Sequence, residues 1–215
     1  MAPKKRSPYL QIAALIQCEL FVSATQVAFP KSGTQNIQNR RMDDERNELQ
    51  RAFVIFSREK LKDEYWPRIC RCLDSLTEEQ IWWRPNETSN SVGNLLLHLN
   101  GNIRQWILGP LGGIANTRDR DAEFAERRQL DTAMLRSVLD QTLKEFDRIL
   151  SGLTASDLLK TYTIQRHEGI TALAAIYHVV EHFGMHCGQI LYVTKLLNGT
   201  DLGFYRQLSG WGPVP

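Results

Sequence analysis

The 215-residue sequence predicts an all-α fold, an antiparallel four-helix bundle. Apolar residues recur at spacings of three and four in four long segments, and we find no convincing alternation of the kind that strands require. Four long helices in one domain are typical of a bundle. Hydrophobic residues make up 42% of the chain and charged residues 23%, which is ordinary for a globular protein of this length.

Local signals support each predicted helix. The four helices cover about residues 49–73, 91–108, 132–150 and 171–197. Pro67 predicts a kink in the first helix, Asn90 or Ser91 can cap the second, and Asp131 can cap the third. Between the first two helices, Thr77 followed by three acidic or amide residues predicts a short, capped turn of helix.

The helical domain is predicted over residues 49–200. Residues 1–48 are predicted to form an N-terminal extension, because residues 30–48 contain little that could enter a core and read as a disordered polar linker. Residues 201–215 contain a tryptophan and two prolines and are predicted to be an irregular tail.

The first residues resemble a weak secretory signal. Residues 1–6 are basic, residues 9–18 are fairly apolar, and Val22-Ser23-Ala24 resembles a cleavage site. Gln11 and Gln17 interrupt the apolar stretch. We therefore expect a cytoplasmic protein, and export is the less favoured alternative.

Composition argues against several classes of partner. A net charge of +2 without a basic stripe argues against nucleic-acid binding, and no apolar run reaches the roughly 18 residues of a membrane span. The four cysteines are dispersed without a C-x-x-C pair, as expected in a reducing compartment. We expect a small-molecule substrate, and a homodimer is one candidate assembly.

Three histidines lie four residues apart in the fourth predicted helix: His178, His182 and His186. Neighbours in this row share a helix face and can bind one ion together. His178 and His186 are separated by about 12 Å along the helix axis, so the three cannot share one ion. A third ligand must then come from another helix.

A helical wheel selects the pair. Glu181 and Lys195, the only charged residues of this helix, mark its solvent edge. The direction opposite this solvent edge, which points into the bundle, lies about 20° from His186, about 60° from His182 and about 100° from His178. His182 and His186 therefore point inward, while His178 lies on the flank. His98 lies in an apolar run of the second helix and is the natural third ligand.

Three neutral imidazoles favour Zn, Ni or Fe over Mg or Ca, and such a site can lower the pKa of bound water or thiol. H-E-x-x-H and Glu-x-x-His are both absent, which argues against zincins and di-iron carboxylate bundles. Gln189 could orient His186 or its bound water from a second layer of contacts, or be a core amide. Alternatively, the histidines bind no metal and hydrogen-bond to Asn94, Asn102 or Gln189 in the core.

The segment from His182 to Ile190 (HFGMHCGQI) resembles the H-x-x-x-H-x-G-Q-[IL] signature of the DinB-like superfamily. The segment from Asn94 to Asn102 resembles its upstream histidine segment, and Arg118–Phe124 resembles a loop of one uncharacterised bacterial subgroup. These four-helix bundles include the YfiT-like group, regarded as metal-dependent hydrolases. The resemblance spans roughly residues 50–200.

The resemblance implies metal ligands at His98, His182 and His186. Characterised relatives include transferases that use bacillithiol, mycothiol or glutathione, so a low-molecular-weight thiol is a candidate cofactor. Many relatives carry arginine where this chain has Cys187, so a role attached to that arginine does not transfer here.

Our leading hypothesis is a divalent-metal-binding bundle that acts on a small molecule as a thiol transferase or hydrolase. The alternative is a non-catalytic, stress-related protein that uses its metal for stability or sensing. The sequence names no general base. The charged loop from Arg118 to Glu123 could cover the open end of the bundle, or simply be solvated.

Overall fold

The computed structural model describes residues 32–127 and 130–204, and the chain divides into two compact units, residues 1–42 and 43–215. The signal-like start and most of the predicted tail therefore lie outside the described residues. The described part is mainly helical, and none of its helices is long and apolar enough to span a membrane.

The first helix begins earlier than the sequence predicted. Helix α1 spans Ser32–Glu59, so the segment predicted as a disordered linker is helical from residue 32 onward. Its side chains from residue 37 to residue 49 are exposed. The prediction rested on missing apolar residues, and a solvated helix needs none, because its hydrogen bonds lie within its own backbone.

Helical structure continues beyond α1 with a local change of geometry. A π-helical segment covers Lys60–Tyr65 and leads into helix α2, Trp66–Ser75, which has Pro67 in its first turn. Proline has no backbone N–H to donate, so the first turn is where a helix tolerates it. The change of geometry therefore falls just before the proline that predicted a kink.

Capping boxes begin the next two helices. Helix α3 spans Glu78–Trp82, and the Thr77 side chain caps it as predicted. Helix α4 spans Val92–Ile103 and continues as a π-helical segment over Arg104–Leu108. The side chain of Ser91 accepts from the backbone N–H of Asn94, which fixes the start of α4 about two turns before His98.

Four further helices follow: α5 (Arg120–Ala125), α6 (Thr132–Ser151), α7 (Ala155–Leu158) and α8 (Ala172–Asn198). The two long ones, α6 and α8, begin and end within one residue of their predicted bounds. Asp131 caps α6 and Thr171 caps α8, each by accepting from a backbone N–H in the first turn.

A small hairpin adds to the mainly helical structure that the sequence predicted. Strands β1 (Thr161–Ile164) and β2 (His167–Thr171) pair antiparallel ahead of α8. Strands of four and five residues are too short for period-2 alternation to stand out in the sequence. The positive φ of 58° at Gln165 lies in the turn that joins the strands.

The core forms where the long helices meet. Helix α4 packs against α5, α6 and α8, while α2 packs against α8. The following side chains are among those with at most 1% exposure: Leu61, Ile69, Leu96, Leu99, Ile103, Leu139, Phe146, Phe183 and Ile190. Since α4 and α8 are in direct contact, the predicted histidine segments face each other across this interface.

Candidate metal centre

The structure brings together the three histidines singled out in the sequence. His98 on α4 and His186 on α8 are buried, and His182 on α8 is half-buried. The Nε2 atom of His182 lies 3.0 Å from that of His98 and 3.1 Å from that of His186. One nitrogen from each ring lies within 4.8 Å of the others, so these three residues could hold a metal ion.

Hydrogen bonding alone does not account for this arrangement. A neutral imidazole nitrogen carries either one hydrogen or one lone pair, so His182 Nε2 cannot serve both neighbours. Three nitrogens bound to a tetrahedral ion at 2.0–2.1 Å would lie about 3.4 Å apart. The two observed separations need only a small expansion to reach that spacing, so the three imidazoles could hold a metal ion.

The outer nitrogens of two rings have acceptor partners. Nδ1 of His98 lies 3.0 Å from Glu123 Oε2, and Nδ1 of His186 lies 2.7 Å from Gln189 Oε1. Donation from Nδ1 to these oxygens leaves the Nε2 lone pairs directed at the centre of the cluster. Nδ1 of His182 is buried and has no hydrogen-bond partner among the described residues.

Burial keeps the α8 imidazoles neutral. The pKa of His182 is lowered to about 3, mainly by desolvation and to a smaller extent by the nearby His186 and His98. Desolvation also lowers the pKa of His186, although its hydrogen bond to Gln189 opposes this. Both rings therefore offer lone pairs rather than positive charge near neutral pH, as a metal ligand must.

A buried ion pair lies behind His98. Arg118 Nε is 2.7 Å from Glu123 Oε1 and Arg118 Nη2 is 2.8 Å from Glu123 Oε2, with 3% and 10% of the two side chains exposed. The Nη2 atom also lies 3.0 Å from His98 Nδ1. A metal on Nε2 needs the lone pair of that nitrogen, which puts the ring hydrogen on Nδ1. With the hydrogen there, Nδ1 donates to Glu123 and cannot accept from Arg118.

Arg118 keeps Glu123 ionised. Burial raises the pKa of the Glu123 carboxyl, but hydrogen bonds from Arg118 and His98, together with the charge of Arg118, outweigh burial and bring the pKa below its usual value. The guanidinium also donates through Nη1 to Gln105 Oε1 over 2.7 Å. The pair is thus fixed to the π-helical segment that follows α4.

His178 stays outside the group, as the wheel predicted for a flank position. Its ring lies 3.9 Å from that of Trp106, centroid to centroid, and its Nε2 lies 3.4 Å from Asn102 Nδ2. Cys187 also points away from the cluster, with its Sγ 3.8 Å from the backbone oxygen of Tyr65. Burial raises the pKa of that thiol to about 12, so it is a core thiol rather than a nucleophile.

Helix α5 supplies an aromatic neighbour. The Phe124 ring lies 4.6 Å from the His98 ring, and the guanidinium carbon of Arg120 lies 4.9 Å from the centre of the Phe124 ring. The loop that the sequence marked as a candidate cover therefore lies against His98.

Sequence reasoning assigned no role to Glu123 or Arg118. They appeared only within a charged loop, and 25 residues separate Glu123 from His98. Neither helical periodicity nor motif spacing can pair residues across such a connection. Their only signal was the resemblance of this loop to one in a bacterial subgroup.

Residues 48–209 match the family described as "Protein of unknown function (DUF1572)". The chain belongs to this family. The matched range of this DUF1572 protein includes the three histidines, Gln189 and the Arg118–Glu123 pair. No curated protein is detectably similar to the chain in sequence.

A solved structure shares the fold. It is described as the "conserved protein of locus from Enterococcus faecalis", with a TM-score of 0.59 and 18% sequence identity. The similarity covers 68% of this DUF1572 chain and 98% of the other. At this identity the likeness concerns the fold alone.

Proposed function

We propose that His98, His182 and His186 bind one divalent metal ion through their Nε2 atoms. The observation that carries this proposal is the double contact of His182 Nε2 with the other two Nε2 atoms, at 3.0 and 3.1 Å. A shared cation satisfies all three lone pairs at once. Imidazole ligands favour Zn, Ni or Fe.

We further propose that the site is catalytic and acts on a small molecule, as a thiol transferase or a hydrolase. Among the described residues, no fourth histidine, cysteine or carboxylate joins the group, so a coordination position is left for a water or a substrate atom. A closed site with four protein ligands would instead favour a structural or sensing role.

The chain's own residues then orient and screen the site. Glu123 and Gln189 fix the rings of His98 and His186, while Phe124 shields one side of the His98 ring from water. A divalent ion held there would lower the pKa of a water or a low-molecular-weight thiol, which supplies a nucleophile near neutral pH.

Three broader assignments accompany this proposal. The antiparallel four-helix bundle of DinB/YfiT type rests on the four long helical segments and on the resemblance of the His98 and His182–Ile190 segments. The cytoplasmic location rests on the free thiols of Cys70, Cys72 and Cys187. The homodimer remains a candidate assembly, to be measured by light scattering.

Metal analysis tests the proposal. We expect purified protein, loaded with Zn²⁺ and desalted, to retain about one equivalent by elemental analysis. His98→Ala, His182→Ala and His186→Ala should each lose most of it, because two imidazoles bind far more weakly than three. His178→Ala is the matched control, since it removes a histidine from the same row on α8 and should retain the metal.

The outcomes separate the hypotheses. Wild-type protein without bound metal, or equal metal content in His182→Ala, would overturn the metal site. If metal binds, turnover in a thiol-transfer and ester-hydrolysis screen that is lost with His182→Ala supports an enzyme. Stoichiometric metal without turnover in that screen favours the sensing or structural role.

A further inference from the structure

Glu123 is placed as a partner of a metal ligand. It reaches His98 Nδ1 over 3.0 Å, and both of its oxygens accept hydrogen bonds from Arg118. The two side chains are almost fully buried. An ion pair with so little solvent around it has a fixed geometry, and so it can hold an imidazole in one orientation.

Gly101 makes this placement sterically feasible. The residue lies on α4, three positions after His98 and therefore on the same side of the helix. A Cβ atom at position 101 would lie 1.9 Å from Glu123 Oε1 and 2.7 Å from Arg118 Nε. Any side chain there would displace the ion pair, because the carboxylate occupies the space of the missing methyl group.

We propose that Glu123 is a positioning residue for the ligand His98, held by Arg118 and admitted by Gly101. The inference rests on the proposed metal site. The hydrogen bond holds the His98 ring in the tautomer whose lone pair is on Nε2. It also raises the basicity of that nitrogen, which makes it a stronger metal ligand. Loss of such an outer partner typically weakens metal binding by about 10- to 100-fold.

The alternative is a purely structural ion pair that ties α5 to α4. Such a pair would affect the stability of the fold but leave the intrinsic affinity of a folded site unchanged. Metal affinity and fold stability must therefore be measured separately, on the same variants.

The test uses the full chain and Zn²⁺, with affinity from competition against a chromophoric chelator and folding from circular dichroism and thermal unfolding. We expect Glu123→Gln to weaken Zn²⁺ binding by about 10- to 100-fold while the protein remains folded. Gly101→Ala should weaken it in the same direction with all ligands intact. The matched control is Asp121→Asn, which neutralises an exposed carboxylate on the same short helix and should bind like wild type.

A double variant makes the test independent of general damage. If Gly101 acts by admitting Glu123, then combining Gly101→Ala with Glu123→Gln should cost much less affinity than the product of the single effects. The Co²⁺ visible spectrum should also change in Glu123→Gln, since the ligand field at His98 changes. An unchanged Zn²⁺ affinity and Co²⁺ spectrum in folded Glu123→Gln would overturn the inference and leave the metal site standing, whereas absence of Zn²⁺ binding in wild type would overturn both.

Discussion

At the scale of single residues, His186 and Gln189 show how the spacing of two residues on one helix can orient a metal ligand. Three residues apart on α8, they face the same side, and the Gln189 side-chain oxygen accepts from His186 Nδ1 over 2.7 Å. Gln189 itself is exposed, so water can replace it. Its contribution to the site should therefore be smaller than that of the buried Glu123.

We expect Gln189→Ala to weaken Zn²⁺ binding by about fivefold, the equivalent of one exposed hydrogen bond of about 1 kcal/mol. Competition with a chromophoric chelator measures this. Gln141→Ala, an exposed glutamine on α6, is the control and should leave affinity unchanged. A loss as large as that of His186→Ala would show that Gln189 binds the ion itself.

The sequence predicts the three histidines of the site but not Glu123. His98, His182 and His186 could be selected because helical geometry fixes which residues of α8 share a face and because one histidine lies in the buried run of α4. Glu123 could not, since its place depends on a loop path and on a missing side chain at Gly101. Residue spacing carries information within an element but not across an irregular connection.

At the scale of elements, an ion pair joins α1 to α6. Arg58 Nε lies 2.7 Å from Asp147 Oδ1 and Nη2 lies 3.1 Å from Oδ2, a bidentate contact with about a quarter to a third of each side chain exposed. The hydrogen bond from Arg58 lowers the pKa of Asp147 more than burial raises it. The carboxylate form is thus favoured by folding.

We expect Asp147→Asn to lower the free energy of unfolding by about 1 kcal/mol at pH 7. Because the folded pKa is depressed, this contribution is complete above the unfolded pKa of about 4 and is lost as the pH falls through the folded pKa. Urea denaturation at pH 7 and at pH 3 should show the difference between wild type and variant shrinking at the lower pH. A difference that is constant with pH would contradict the assignment to the charge.

The helices could be predicted where apolar residues recur over many turns. Helix α6 has a strong apolar stripe and α8 is a long apolar run with only two charged residues, and both have side-chain caps. Their bounds therefore follow from the sequence. The sequence did not predict the exposed part of α1 ahead of residue 49, which has no apolar stripe. It also did not predict the short helices α5 and α7 or the hairpin of β1 and β2, which are too short to show a period.

At the scale of the whole molecule, the proposed ion would link α4 to α8 and, through Glu123, to α5. Binding to the folded state alone stabilises it by mass action, by about 2.7 kcal/mol at a free Zn²⁺ concentration of 100 times Kd. For a chain of this size that corresponds to roughly 5–10 °C in Tm.

We therefore expect Zn²⁺ to raise the Tm of the metal-free protein by this amount and a chelator to reverse the rise, as followed by differential scanning calorimetry. His182→Ala should show no such rise, while His178→Ala should behave like wild type. An equal rise in His182→Ala would mean that Zn²⁺ stabilises the protein from a different site.

His98 and His182 are 84 positions apart in the sequence, so the site can form only late in the synthesis of the chain. During synthesis α4 leaves the ribosome well before α8, and no nascent chain that lacks α8 can hold an ion with three imidazoles. Three-histidine binding of the metal must then wait until the chain between α4 and α8 has been synthesised and its ends have come together, at the entropic cost of closing that segment. If the ion binds after the folding transition state, it slows unfolding more than it speeds folding.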